Sequence, residues 1–330
     1  MKKIIFPAVA LSLILLMTGC SGTKTEKTDS TTEKEKITEE ATEKPEAGDP
    51  GDTSKENPEE PIMPDNMQIY YDFLYGSEKV RYTGQNDLGT NLRLDSYLEV
   101  NGTYSVEELI SLLSVDVSEY SSGIVLDTDN PYEYRFIDCG KDGNPELVID
   151  FKFISGDLFG LRCVIKDING ELCFCFDNDY WSRNDFEIDD NGVITSYGSG
   201  GATEHYNGAS FLDADCNYFI YYNCHDSFDP SYGFSTFKDG EYINIDMSDL
   251  DTTNIMISSY FFTDWDSDRT DYNILTVYDD DYNIMDPSTY EGLDELKNKF
   301  AQADIELYTF EQIDQMLMDR AEEIDFPGFG

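Results

Sequence analysis

Asp138, Asp142 and Glu146 fall within the run Asp138-Cys-Gly-Lys-Asp142-Gly143-Asn-Pro-Glu146. Their spacing approaches that of loops that wrap a hard cation. In such a loop carboxylate and carbonyl oxygens surround the ion, a glycine makes the sharp turn, and a later carboxylate closes the shell. Ca2+ is the ion this chemistry would select. Two residues work against it: Gly140 stands where a further ligand is expected, and Lys141 adds a positive charge beside the carboxylates. Alternatively these acids are solvated residues of an Asp-Gly hairpin turn. A second run, Asp264-Trp-Asp266-Ser-Asp268-Arg-Thr-Asp271, offers alternate aspartates but no glycine to turn the chain. Solvated loop acids are expected there and at Asp279-Asp280-Asp281.

Aromatic residues are the second source of possible chemistry, with 23 Tyr, 20 Phe and 2 Trp. A flat apolar ring matches the face of a sugar, and neighbouring Asp or Asn can bond its hydroxyls. Asp179-Tyr180-Trp181 and Tyr232-Gly-Phe234 fit that description, with Tyr180 and Trp181 as the ligand-binding candidates. Strand core is the alternative for such residues. Catalytic patterns are scarce. The histidines are His205 and His225, and the sequence has no H-E-x-x-H and no C-x-x-C. Cys216, Cys224, His205 and His225 match no zinc spacing. Ser199 sits in Gly198-Ser-Gly200-Gly201, which is not a G-x-S-x-G elbow. Acids abound, yet nothing selects two of them as a glycosidase pair. Enzymatic activity is therefore not expected.

The formal net charge is -46. That field repels nucleic acid and anionic lipid head groups and attracts cations. Apart from Cys20, the cysteines are Cys139, Cys163, Cys173, Cys175, Cys216 and Cys224. An even number in an exported domain permits disulfides, and Cys163 and Cys175 flank the Asn169-Gly170 turn almost symmetrically. A domain of this size needs no staples, however, and cysteines in apolar runs are expected as buried thiols.

The N-terminus begins with Met1-Lys2-Lys3 and continues with an uncharged, largely apolar stretch from Ile4 to Met17. It is too short to span a membrane and has the organisation of a signal peptide. Thr18-Gly19-Cys20 follows, and the small residues before this cysteine resemble the lipobox of bacterial lipoproteins; Met17 stands where that family usually has Leu. The resemblance implies cleavage after residue 19 and acylation of Cys20, a palmitate-type anchor holding the chain on the extracellular face of the cell membrane. Residues 20–64 are rich in Thr, Glu, Lys and Pro and cannot bury enough surface to fold, so they form an acidic tether.

Residues 65–330 are expected to form a single extracellular domain. Asp65 or Asn66 can cap a helix through Leu74, ended by Gly76. Lys79–Tyr97 has no clear pattern, and Ser105-Val-Glu-Glu108 is a capping box opening a second helix. Ser121-Ser-Gly123 is a break. Tyr132, Tyr134 and Phe136 then alternate into the acidic loop, and Leu147, Ile149, Phe151 and Phe153 alternate out of it. Asp142-Gly143, Asn169-Gly170, Asn191-Gly192, Asn207-Gly208 and Asp239-Gly240 are hairpin signals, because both turn residues tolerate positive φ. Tyr218–Tyr222 and Asn273–Tyr278 are further strands. Leu293, Leu296 and Phe300 mark one C-terminal helix, Thr309 caps another, and Phe326–Gly330 should fray. The fold class is α+β: an antiparallel β-meander, as a sheet or open barrel, flanked by N- and C-terminal helices.

Several of these segments together resemble surface lipoproteins of Gram-positive gut anaerobes, of no established activity. They are Tyr71-Asp-Phe-Leu-Tyr-Gly76, Val106-Glu-Glu-Leu-Ile, Tyr134-Arg-Phe-Ile-Asp138 with Asp142-Gly-Asn-Pro-Glu-Leu147, and Gly192-Val-Ile with Gly198-Ser-Gly. The likeness implies a tethered surface protein. The expected function is a binding or interaction module for a glycan or a surface protein, and a surface hydrolase of glycans is the alternative.

Overall fold

Helical spacing of apolar residues builds α1 (Gln68–Leu74), which buries Tyr70, Phe73 and Leu74. The computed structural model describes residues 65–89, 92–114, 125–154, 159–264 and 268–329. The signal segment, Cys20, the tether, the Ser121-Ser-Gly123 break and Asp266 lie outside the described residues. Gly76, at φ +77°, ends α1. Asn66 does not cap it. Met67 holds the N-cap position with no side-chain bond, and Asn66 donates instead to the Gly143 carbonyl at 3.4 Å. The patternless stretch after α1 contains β1 (Val80–Arg81) and a 3-10 turn at Leu94–Ser96. It leads to β2 (Thr103–Tyr104), antiparallel to β1, and to α2 (Val106–Leu113), opened by the Ser105–Glu108 capping box.

The meander begins with β3 (Val125–Leu126), β4 (Tyr132–Ile137) and β5 (Glu146–Ile154). It continues as β6 (Phe159–Ile168), β7 (Glu171–Trp181), β8 (Asn184–Ile188), β9 (Val193–Ser199), β10 (Glu204–Leu212) and β11 (Tyr218–Phe228). From β5 to β11 each strand pairs antiparallel with the next. The chain then forms a separate hairpin of β12 (Phe234–Lys238) and β13 (Glu241–Ile245). It rejoins the sheet as β14 (Ile255–Phe261) beside β11, followed by β15 (Tyr272–Tyr278) and β16 (Ile284–Met285). After α3 (Leu293–Gln302), the short β17 (Leu307–Tyr308) lies parallel to β15, and α4 (Phe310–Glu323) closes the chain behind a Thr309–Gln312 capping box. The result is an open sheet of 15 strands, not closed into a barrel, with helices at both ends of the described residues.

The turn signals divide. Asn169-Gly170 and Asp239-Gly240 adopt positive φ at both residues and join β6 to β7 and β12 to β13. Asn191-Gly192 turns β8 into β9, braced by the Asp189 carboxylate on the Asn191 and Val193 amides. Asn207-Gly208 is not a turn. It lies inside β10, paired with β9 on one side and β11 on the other. A Cβ at Gly208 would come within 2.7 Å of Asn223 Oδ1, so this glycine makes room between strands. The C-terminal tail does not fray either: the Phe326 ring stacks on Tyr221 at 4.2 Å and meets Phe211 edge-on at 5.7 Å.

Strand β5 is buried on both faces. Leu147, Ile149 and Phe151 face a core closed by α1, α2, Tyr82 and Leu92. Val148 faces a second core with Val164, Phe176 and Phe186. A third core packs Leu296 and Phe300 of α3 onto Phe234, Ile257 and Leu275. Asp271, expected as a solvated loop acid, is buried. It accepts from Arg269 Nε at 2.5 Å and from the Phe237 amide at 2.9 Å, while the Arg269 guanidinium lies between the Phe237 and Phe261 rings. This pair fastens the β12–β13 hairpin to the neighbouring chain.

Candidate functional site

The acidic loop joins β4 to β5 and is closed by its own backbone. Asp138 accepts from the Gly143 amide at 3.1 and 3.2 Å, and Asp142 accepts from the Asn144 amide at 2.7 Å. Glu146 turns the other way. It is 0% exposed, takes the Cys139 amide at 2.7 Å on Oε2, and pairs through Oε1 with Lys166. The predicted set Asp138, Asp142 and Glu146 therefore does not converge on one ion. Gly140 explains the departure from the cation-loop pattern: its φ is +70°, and a Cβ there would come within 2.6 Å of the Ala214 amide nitrogen. The position is occupied by packing against the turn before β11, which leaves no space for a ligand side chain.

What Glu146 does join is a group of thiols. Cys139, Glu146 and Cys216 place their ligand atoms within 4.8 Å of one another, all buried. Cys216 also packs with Cys173 and Cys175. The Cys139 and Cys175 thiols hydrogen-bond to Cys216 and, helped by Lys166, hold it well below the usual thiol range. Those same bonds, with burial, push Cys139 and Cys175 upward. Burial raises Glu146 to about 7, outweighing the opposing pull of Lys166 and the Cys139 amide. A thiolate-rich donor set suits a borderline ion such as Zn2+. In this set, however, both Glu146 oxygens are engaged and the Lys166 ammonium supplies the compensating charge internally. The cluster is a satisfied polar network linking β5, β6, β7 and the turn before β11.

All six described cysteines are free and buried. Cys163 and Cys175 do not face one another across their turn. Cys163 pairs with Asp177, and a bulge between Phe174 and Phe176 turns Cys175 toward Cys173 and Cys216. Alkylation of the denatured protein is expected to label Cys139, Cys163, Cys173, Cys175, Cys216 and Cys224 equally with and without reductant. Mass spectrometry showing fewer labels without reductant would contradict the free-thiol arrangement.

Tyr180 is not a sugar platform. It is 8% exposed; its ring lies against Gly160, where a Cβ would come within 2.2 Å of Cζ, and the Arg162 guanidinium covers it at 5.0 Å. Trp181 is half-buried against the first core. In the second aromatic cluster Tyr232 is fully exposed, while Phe234 is core.

The two histidines do not build a zinc site or a nucleophile. His225 bonds Glu204 through Nε2, and Ser227 Oγ donates to the same carboxylate at 3.0 Å. The carboxylate stands between serine and imidazole, so the imidazole has no contact through which to take the serine proton. Cys224 is next to His225 in β11 and so points to the opposite face, where it bonds Asp226 at 3.5 Å. Ser199 donates to the Gly201 carbonyl, as a loop serine does.

An aromatic surface that sequence reasoning missed lies where α1 meets β4. Tyr71 stacks on Tyr75 at 6.3 Å with 23° between planes, Phe136 lies 5.6 Å from Tyr71, and Tyr134 meets Phe136 edge-on at 6.2 Å. Tyr75 is 76% and Tyr134 46% exposed. Among the described residues β4 pairs only with β5. The signal was present in Tyr132, Tyr134 and Phe136 at alternate positions, but only the fold shows α1 adding its own tyrosines to the same surface. Comparison with known protein families, with curated proteins and with solved structures finds no match.

Proposed function

We propose that the chain is a membrane-anchored extracellular lipoprotein whose folded unit binds neutral glycans through the aromatic surface of α1 and β4. The supporting observation is the contiguous Tyr71–Tyr75–Tyr134–Phe136 cluster, in which Tyr75 and Tyr134 are exposed and Tyr71 and Phe136 pack between them and the first core. Buried neighbours Tyr70 and Phe73 fix α1, so the exposed rings are pre-organised and lose little entropy on binding. The net charge of -46 disfavours anionic polymers, nucleic acid among them, so among glycans a neutral one matches better than an acidic one. Glu107, whose carboxylate lies against Gly76 beside Tyr75, supplies an acceptor for hydroxyl groups.

A glycan hydrolase is the alternative. It needs two carboxyls facing a cleft, one with a raised pKa. Glu146, Asp177 and Asp226 are held above their ordinary range, first by burial, and all three are turned into the interior. That favours binding over turnover.

The anchor belongs to the same proposal. Cys20→Ala is expected to abolish incorporation of labelled fatty acid into the protein; label retained in the variant would contradict acylation at that residue. For the ligand, native affinity electrophoresis through gels containing soluble starch, xyloglucan or galactomannan is expected to retard the protein in at least one. Mobility unchanged in all of them, with capture of a surface protein instead, would replace glycan by protein as the partner.

A further inference from the structure

Asp177 and Asp179 project from β7 toward the first core, and both are 0% exposed. The irregular segment between β1 and β2 crosses over them. It is strapped down by the Leu88 amide on the Asp177 carbonyl at 2.9 Å and the Asp177 amide on the Asn86 carbonyl at 3.1 Å. That bridge sets Asp87 directly beside Asp177. Tyr82 Oη donates to Asp87 Oδ2 at 2.9 Å, and the Asp95 amide reaches the same oxygen at 3.1 Å. Asp179 Oδ2 takes the Leu92 amide at 2.9 Å. Three oxygens are left over: Asp87 Oδ1 and both oxygens of Asp177 are buried without a hydrogen-bond partner.

A buried carboxylate with neither oxygen bonded is costly, and a second one beside it raises the cost. The charged groups that act most on Asp177 are Asp87, Asp95 and Asp179, all acids. The neighbouring Tyr82 hydroxyl is spent on Asp87, and the adjacent Cys163 is a neutral thiol held above its usual range by burial first. The deficit is met by a proton or by a cation. A single shared proton would bond one Asp177 oxygen and leave the other without a partner. A divalent cation would satisfy all three free oxygens and balance two carboxylate charges at once. Oxygen-only donors are the ligands of hard ions, and the strongly negative protein raises the local concentration of such ions.

We propose that the Asp87 and Asp177 carboxylates bind a divalent cation of the Ca2+ class beneath the β1–β2 segment. The ion pins that segment onto β7, a structural role independent of any glycan binding at α1 and β4. Asp87 is only half-buried, which gives the ion a way in from the segment side.

The test is thermal unfolding of the full chain in EDTA, in millimolar CaCl2 and in millimolar MgCl2, with equilibrium dialysis against labelled calcium for stoichiometry. Calcium is expected to raise the melting temperature by roughly 5 °C or more. Asp177→Asn, a neutral isostere that keeps the fold, is expected to lose both that shift and the bound ion. Asp138→Asn, in the β4–β5 loop, is expected to keep them. No shift and no bound ion in the unaltered protein would overturn the proposal in favour of a shared proton. An unchanged shift in Asp177→Asn would overturn it in favour of another site.

Discussion

Asp177→Asn is expected to make the metal-free protein more stable at neutral pH. Most substitutions of fully buried residues destabilise, so the sign is the informative part. Burial, followed by the neighbouring Asp87, pushes the Asp177 carboxyl up to about 9. The unfolded chain titrates near the ordinary aspartate value, about 3.9. Between those values the folded protein holds a proton that the unfolded chain has released. Stability is therefore fully present below about pH 4 and is lost as pH rises toward about 9. At pH 7 the loss amounts to about 2 to 4 kcal/mol. An amide has no such titration, and its NH2 can donate to the unpartnered Asp87 Oδ1. Urea unfolding in EDTA at pH 5 and pH 8 checks this: stability should fall less between the two pH values in the variant than in the parent, the remaining slope coming from other raised carboxyls such as Glu146. A variant less stable than the parent at pH 8 would mean that Asp177 is already compensated without an ion.

Lys166→Met is expected to destabilise by about 3 to 5 kcal/mol at pH 8, the usual cost of leaving one charge of a buried pair without its partner. Glu146 is 0% exposed and the Lys166 side chain 12%, so solvent cannot take over the ammonium's role. Burial already raises Glu146 to about 7 with the lysine in place, and the lysine itself is raised by Glu146 against the opposing effect of burial. Removing Lys166 lifts Glu146 further. The sign follows as for Asp177: a raised carboxyl is tolerated below its unfolded value and penalised as pH climbs through its folded one. The defect should therefore be large at pH 8 and small at pH 5. The double variant Lys166→Met with Glu146→Gln should recover most of the loss. A single variant within 1 kcal/mol of the parent at pH 8, by urea unfolding, would remove Glu146–Lys166 from among the contacts that hold β5 to β6.

Local signals in the sequence specify the structure where local physics decides the outcome. Ser105 with Glu108, and Thr309 with Gln312, cap their helices because the bonds span three residues. Leu147, Ile149, Phe151 and Phe153 alternate into one core, as their spacing implies. The open antiparallel sheet follows from those strands and from the Asn-Gly and Asp-Gly turns. Elsewhere tertiary neighbours override the local pattern. Gly208 is a glycine because Asn223 lies across from it, not because the chain turns. Tyr180 has the loop-tip company of a sugar platform, yet Gly160 and Arg162 enclose it. Glu146 has the position of a closing cation ligand but is the first residue of β5, where it turns inward to Lys166. The Asp87–Asp177 pair and the Cys139–Cys216 contact carried no sequence signal, because each joins residues distant along the chain. The α1–β4 aromatic surface was half visible, in β4 alone.

The glycan-binding surface is tested most directly by the affinity of the protein for whichever neutral polysaccharide retards it, compared with that of the double variant Tyr75→Ala, Tyr134→Ala. Both rings are largely outside the core, so the variant should unfold within about 0.5 kcal/mol per substitution of the parent. Truncating an aromatic anchor at a binding surface costs about 1 kcal/mol or more, so the pair should weaken binding by roughly tenfold or more. Unchanged affinity in a folded variant would contradict the assignment of the Tyr71–Tyr75–Tyr134–Phe136 surface as the binding site.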